Sequence, residues 1–260
     1  MDMSNERLRS ALLKRGLTYA DLGEKVSVDP KTVERWVTQP RRPHRAHRLR
    51  VAAVLSEDDG FLWPETANDR ASVSASQAEL VELFPNRGSV SSEFWLSTVD
   101  RAVDQVDLLA YAASFLHDAL PDFADLLATK ARSGVRVRLL FGDPDSEAVE
   151  RRGREEGIDD LLAARCRLTW SYWAPFLEEQ GIEARMHETT LYNSLFRFDD
   201  TLLVNTHALG VAASHSPVLH LQKVAGGRLF AQYLQSFESA WSAADQSVLS
   251  VAIDEGRPQR

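Results

Sequence analysis

Hydrophobic positions in the first 55 residues recur at helical spacing. Leu8, Ala11 and Leu12 fall on one face of a first segment, which Gly16 ends. The polar residues between them occupy the opposite face. This pattern predicts a short amphipathic helix at the start of the chain.

Capping residues predict the starts of two further helices. Thr18, with Asp21 three positions later, has the spacing of a capping box at the start of TYADLGEKV. Asp29 is a good cap for PKTVERWV, and Pro30 suits the first helical position because its missing N–H is not needed there. A tight turn separates these two predicted helices.

The third helix divides into a buried and an outward face. Val33 and Trp36 fall on the buried face, so we expect Trp36 to be a core residue. Lys31, Thr32 and Arg35 point outward. Two short helices joined by a tight turn, with cations near the start of the second, form the pattern of a helix-turn-helix.

The stretch LTYADLGEKVSVDPKTVERWV resembles the xenobiotic-response-element-type (XRE) DNA-binding domain, with Gly23 where alanine is usual and Ser27 where the turn glycine is usual. The resemblance implies contacts with base edges in the major groove by Lys31, Thr32 and Arg35. It implies phosphate contacts by Arg41, Arg42, Arg45 and Arg48. The alternative is a generic helical bundle whose charged faces are merely solvated.

Charge is distributed unevenly along the 260 residues. Residues 1–55 hold 12 Lys and Arg against 6 Asp and Glu, a net charge of +6. Residues 56–260 hold 18 against 32, a net charge of −14. This asymmetry indicates a basic module that meets a polyanion and an acidic body that does not.

From Ala78 onward, predicted strands alternate with predicted helices. DLLAYAASFL, VRVRLLFGD and IEARMHETT read as strands, and SSEFWLSTVDRAVDQV and PDFADLLATKARSG read as helices. We therefore predict an α/β body with a mixed sheet and helices on both faces. The predicted organisation is a DNA-binding domain (1–65), a flexible linker (66–77), the body (78–248) and a tail (249–260).

Polar clusters end several of these strands. In open sheets the strand ends carry the ligand, so GDPDS (142–146), HETTLYNS and VNTH are expected to converge on a pocket. The predicted ligand-binding residues are Asp143, Arg152, Tyr192, Asn193, Ser194, Arg197, Asn205 and His207. The plainer interpretation is that GDPD is only a turn with a helix cap, and that His187 is structural.

Segments of the body, including FPNRGSV, GVRVRLLFGDPDSEAV and LYNSLFRFDDTLLVNTHALG, resemble the domain that follows an XRE module in actinobacterial regulators. That domain is similar to one phospholipase D-like repeat. The resemblance places Tyr192 and Ser194 where a phospholipase D has His-x-Lys, and Asp199 at the position of its Asp. It therefore implies a body that is not an enzyme, that pairs subunits into a homodimer and that binds a small, possibly phosphorylated, effector.

Two alternatives remain open from the sequence. One is a phosphodiesterase or nuclease targeted by the helix-turn-helix, with His187 or His207 in the catalytic role. The other is a ligand-independent regulator whose acidic body recruits a protein partner.

Composition narrows the remaining classes. Cys166 is the one cysteine, which excludes an internal disulfide, and no Cys/His cluster indicates a metal site or a cofactor. No signal peptide or membrane-spanning stretch is visible. We expect a cytoplasmic protein with double-stranded DNA as its partner.

Overall fold

The computed structural model describes residues 4–64 and 70–244. Contacts between residues divide these into two compact units. Unit 1 takes the described residues of Met1–Glu79 and Val224–Ala231, and unit 2 takes those of Leu80–Lys223 and Gln232–Arg260. Among the described residues no helix is long and apolar enough to cross a membrane.

The described part of unit 1 contains six helices. They are α1 (Glu6–Lys14), α2 (Tyr19–Val26), α3 (Pro30–Thr38), α4 (Arg45–Leu55), α5 (Asp59–Leu62) and α6 (Arg70–Glu79). Leu8, Leu22, Val33 and Leu55 are fully buried in their shared core, and Trp36 is 4% exposed, which confirms its predicted core position. Burial of one apolar face per helix therefore holds the unit together.

The predicted helix starts are confirmed. The Thr18 side chain accepts from the Asp21 amide while the Asp21 carboxylate accepts from the Thr18 amide, which completes the capping box of α2. The Asp29 carboxylate accepts from the Lys31 amide, with Pro30 at the first position of α3. Between these helices Ser27 adopts a left-handed conformation with φ of 57°. The turn is therefore tight without the glycine that usually serves there.

Helix α6 corrects the predicted tether. Residues 66–69 lie outside the described residues, but from Arg70 to Glu79 the chain is helical. The carboxylate of Glu79, which is buried, accepts from the Leu229 amide at 2.7 Å, and burial raises the pKa of Glu79. The Ser72 hydroxyl donates to the Gly226 carbonyl at 3.2 Å. Contacts with residues 224–231 therefore hold this segment in place. Because these residues lie about 150 positions away, no local sequence pattern could predict the contacts.

Unit 2 is built on a seven-stranded mixed sheet in the order β1-β7-β6-β5-β2-β3-β4. Strands β2, β3 and β4 are parallel, and the other neighbouring pairs are antiparallel. The strands are β1 (Leu80–Phe84), β2 (Gln105–Ala110), β3 (Arg136–Gly142), β4 (Ile182–His187), β5 (Asn193–Phe198), β6 (Thr201–Thr206) and β7 (Val218–Gln222). The predicted α/β architecture with a mixed sheet is confirmed.

Helices cover both faces of this sheet. They are α7 (Ser92–Arg101), α8 (Phe115–Asp118), α9 (Phe123–Arg132), α10 (Glu147–Glu155), α11 (Leu161–Trp173) and α12 (Leu229–Ala243). Residues of α7, α9 and α11 share a core with Val137 and Leu139 of β3. Arg138, between those two, contacts Phe237 and Glu238 of α12 on the other face.

The register of the sheet brings the polar strand ends together. Leu109 near the end of β2 pairs with Leu195 near the start of β5, and Ser194 pairs with Asn205 near the end of β6. Gly142 at the end of β3 pairs with His187 at the end of β4. The strand ends that the sequence singles out therefore lie along one edge of the sheet, as predicted.

Candidate functional site

Helix α3 presents a cationic outer face. Its inward positions are taken by Val33, Trp36 and Val37, all buried, so the residues between them must face outward. Lys31 and Arg35 are exposed and Thr32 is half-buried. The predicted base-reading residues are therefore accessible.

Beside α3 the loop that follows it closes a concave surface, which we call the cationic concavity. Its volume is about 240 Å³, and its lining includes Thr32, Arg35, Trp36, Arg41, Arg42 and His44. Lys31 and Arg45 are not among its lining residues. Sequence positions 32–35 and 41–42 are thus brought to one surface, where four side chains of the predicted DNA-binding set lie together.

Two of the predicted phosphate contacts lie outside the cationic concavity. Arg48 is 5% exposed, and its Nε lies 3.1 Å from Oδ1 of the buried Asp59. This corrects its predicted role, because a guanidinium held in the core cannot reach a phosphate. Arg48 falls on the stripe of α4 that Val51, Ala52 and Leu55 also occupy, one to two helical turns away. Arg45 is half-buried and donates to the Ala225 carbonyl at 3.4 Å.

Unit 2 contains a cavity of about 70 Å³ at the gathered strand ends, which we call the arginine cavity. The loop after β2 forms its floor, with Ala113 in a left-handed conformation (φ 52°). Its polar lining residues are Arg87, Tyr111, Ser114, Glu156, Arg165, Ser194, His207 and Ser214. Two members of the predicted ligand-binding set, Ser194 and His207, therefore face one space.

Ser194 and His207 form a hydrogen-bonded pair. Nε2 of His207 lies 3.1 Å from the Ser194 hydroxyl, and Nδ1 lies 3.3 Å from the Leu191 carbonyl. A carbonyl only accepts, so Nδ1 carries the proton and Nε2 accepts from Ser194. Burial, together with the positive charge of Arg152, lowers the pKa of His207 to about 4. The ring is therefore neutral at pH 7.

Strand pleating removes other predicted residues from this cavity. Side chains alternate between faces, so Asn193 and Arg197 lie opposite Ser194 on β5. Arg197 instead donates to the buried Asp107 at 3.1 Å, and the Tyr192 side chain is 79% exposed. The structure thus corrects the prediction that these three line one pocket with Ser194.

The remaining predicted ligand residues have structural partners. Arg152, 4% exposed, binds Glu156 at 2.7 Å and donates to the Val211 carbonyl at 2.9 Å, so it fixes a loop and is not open to a ligand. The Asp143 carboxylate accepts from the Asp145 amide, as in a simple turn. Asn205 is fully buried, and its side-chain amide donates to the carbonyls of Ser216 and Pro217.

His187 is also accounted for by its surroundings. It is 1% exposed, and its Nε2 lies 3.1 Å from the Ala110 carbonyl. Its Nδ1 accepts from the Thr189 amide at 3.3 Å. Burial lowers its pKa to about 4. Both ring nitrogens are therefore occupied by backbone groups, which supports the structural interpretation.

Sequence reasoning missed the two arginines of the cavity. Arg87 lies in a 3₁₀ turn (Arg87–Ser89) after β1, and Arg165 lies on α11. Their side chains meet across the cavity only because the sheet brings distant segments together. The one available signal was the motif FPNRGSV, which places an arginine in a turn directly after an apolar strand.

Comparisons with known proteins find two solved structures with distant similarity to this chain. A phospholipase D family member, Nuc from Salmonella typhimurium, is 16% identical over 63% of this chain and 96% of its own, with a TM-score of 0.37. TrmBL2, an archaeal chromatin protein whose structure is described as showing a novel mode of DNA binding, is 14% identical, with a TM-score of 0.41. That alignment covers 71% of this chain and 58% of TrmBL2.

No curated protein matches the chain. A family model described as "Domain of unknown function (DUF5919)" matches residues 77–212, which include both arginines of the cavity and the Ser194–His207 pair. Since this match spans more than half of the 260 residues, the chain belongs to the DUF5919 family.

Proposed function

We propose that this protein is a sequence-specific DNA-binding transcriptional regulator. In this proposal unit 1 is an XRE-type helix-turn-helix, α3 enters the major groove, and unit 2 binds a small effector. Unit 2 also pairs two copies of the chain, because half-sites on DNA require two recognition helices about 34 Å apart.

The observation that carries the proposal is the cationic concavity. Thr32 and Arg35 of α3 and Arg41 and Arg42 of the next loop line one surface, in the part of the chain with a net charge of +6. An arginine on the outward face of a groove-reading helix binds guanine edges, and arginines in the flanking loop neutralise phosphates. We assign base contacts to Lys31, Thr32 and Arg35, and phosphate contacts to Arg41, Arg42 and Arg45.

We further propose that unit 2 binds its ligand without cleaving it. By the resemblance to phospholipase D-like repeats, Tyr192 and Ser194 stand where that chemistry uses His and Lys, and neither is an imidazole or a cation. His187 is enclosed by backbone partners, which supports the same conclusion. A ligand that prefers one arrangement of the paired subunits would change DNA affinity by about 1–3 kcal/mol.

The DNA-binding proposal is tested with the full chain. Duplexes are selected from a random library, and affinities are then measured by fluorescence anisotropy at several salt concentrations. Arg35→Ala should reduce the free energy of specific DNA binding by about 1–3 kcal/mol and weaken the preference at one base position. Arg41→Ala should weaken binding to all DNA sequences alike and reduce the slope of log affinity against log salt by about 1.

Lys14→Ala is the matched control, since Lys14 is an exposed cation of unit 1 that pairs with Glu57 and does not line the concavity. It should bind as the wild type does. Failure of the selection to enrich any sequence would refute the regulator. Arg35→Ala binding with unchanged affinity and preference would refute the assignment of α3 to the groove.

The binding-only proposal predicts no turnover of bis(p-nitrophenyl) phosphate by the full chain. Turnover that His187→Asn or His207→Asn abolishes would show that the phosphodiesterase alternative is correct. Turnover equal in the wild type and in both variants would indicate a contaminating enzyme.

A further inference from the structure

Two guanidinium groups from distant segments face the arginine cavity without an acidic partner of their own. Arg87 stacks on the Phe115 ring, with its Cζ 4.3 Å from the ring centroid, and Arg165 reaches the cavity from α11. Among the described residues neither forms an ion pair. On the same helix as Arg165, by contrast, Arg167 is paired with Asp145 at 2.6 Å.

The single carboxylate of the cavity is already neutralised. Glu156 binds Arg152 at 2.7 Å, and both side chains are largely buried. The charge that faces the cavity is therefore positive in sum. Burial, together with the repulsion from Arg165, lowers the pKa of Arg87 to about 10 even though Glu156 opposes the shift. Two cations held together in a partly buried space are destabilised until an anion arrives.

Backbone donors complete the cavity. Ala112, Ala113 and Ser114 form its floor. Within the described residues, their amides donate to no protein acceptor. The left-handed Ala113 lies between two of these amides, a conformation that turns successive N–H groups toward one concave side. Unpaired amides beside closely placed cations are a recurring arrangement for binding oxyanions.

We propose that the arginine cavity binds the tetrahedral oxyanion of phosphate or of a phosphate monoester, held by Arg87, Arg165 and the amides of Ala112–Ser114. The inference rests on the proposed function only in making this anion the effector of the regulator. Site and effector role are separable, because binding can be measured without DNA.

Size favours a terminal phosphoryl group. The cavity volume of about 70 Å³ is several times the ~10–15 Å³ that one water molecule needs, which suits a compact tetrahedral anion. A diester would have to place a second substituent inside. Arginine forks also match a group with three free oxygens better than one with two. The site should therefore prefer monoesters to diesters.

The test is isothermal titration of the full chain with inorganic phosphate, phenyl phosphate and bis(phenyl) phosphate, with chloride at matched ionic strength as the reference. We expect saturable binding of phosphate and phenyl phosphate, and binding of the diester at least tenfold weaker. The tighter of the first two identifies the source of the phosphoryl group. Absence of saturable binding above chloride, or a diester as tight as the monoester, would overturn the proposal.

Arg165→Ala is the first variant, because its side chain lies on an exposed helix position and its loss should leave the fold intact. Loss of one charge-assisted hydrogen bond should weaken the binding of phosphate about 10- to 100-fold. Arg167→Ala, two residues along the same helix but outside the cavity, should bind as the wild type does. Equal weakening in both variants would overturn the assignment, and Arg87→Gln gives an independent reading from the other side of the cavity.

A DNA titration with and without saturating phosphate separates this site from the regulatory proposal. A change in DNA affinity that Arg165→Ala abolishes supports both. Phosphate binding with unchanged DNA affinity supports the oxyanion site and refutes its role as effector.

Discussion

The buried pair of Arg48 and Asp59 gives a sharp test of the structure of unit 1. Their side chains are 6% and 7% exposed, with Nε and Oδ1 3.1 Å apart. Removing one partner of a buried ion pair takes the close opposite charge from the other and costs about 3–5 kcal/mol. Because a typical domain has only about 5–15 kcal/mol of stability, Asp59→Leu should bring unit 1 close to unfolding.

Replacing both partners should restore much of this loss. Arg48→Met with Asp59→Leu exchanges a charge pair for apolar side chains of similar reach, and such replacements are often close to neutral. The double variant should lie within about 1–2 kcal/mol of the wild type. The excess of the single losses over the double loss is the coupling energy of the pair.

Hydrogen exchange resolved by mass spectrometry is the assay, since global unfolding would mix the two units. Peptides of α3 and α4 report the free energy of opening of unit 1. The salt slope of DNA binding is measured on the double variant. An Arg48 that touched phosphate would lower that slope by about 0.9 when removed, so an unchanged slope is expected. A reduced slope, or single variants as stable as the wild type, would refute the buried assignment.

Three further predictions follow from local contacts. His187 is 1% exposed, and burial lowers its pKa to about 4. Its contribution to the free energy of unfolding, about 3 kcal/mol, is therefore present above about pH 6.5 and is lost as the pH falls toward 4. In His187→Gln the acid limb of a curve of stability against pH should be flatter than in the wild type. Thr18→Ala should lower the stability of unit 1 by about 1 kcal/mol through the lost cap, seen as faster exchange in α2. Gly227→Ala should destabilise unit 1 and speed exchange in α6, because its new Cβ would collide with the Glu79 side chain, whereas Ala225→Gly should not.

Local signals in the sequence predicted local structure well. The capping box of α2 and the Pro30 start of α3 depend on residues within four positions of each other, and both are confirmed. The convergence of strand ends also followed, because it needs only the order of strands and helices. Contacts between residues far apart in the sequence leave no local pattern. The sequence therefore predicted neither that residues 70–79 form a helix nor that Arg87 and Arg165 line the same cavity.

The positions of Arg48 and Arg197 follow from the periodicity of helices and strands. Arg48 falls three, four and seven positions before Val51, Ala52 and Leu55, so it shares their buried stripe. Arg197 is an odd number of positions from Ser194, which puts the two on opposite faces of a strand. In both cases the position along the element, and not the residue type, determines where the side chain lies.

The contact of α6 with residues 224–231 bears on how the chain acquires its structure during synthesis. The Leu229 amide, which donates to the Glu79 carboxylate, leaves the ribosome 150 residues after it. At about 5–20 residues per second, this is a delay of about 8–30 seconds. The first helices to emerge must wait that long for their last neighbours. A shortened gene that stops after residue 79 would therefore yield a module whose final helix lacks the amide that donates to Glu79 and the carbonyl that accepts from Ser72. The helices should be produced from the whole reading frame.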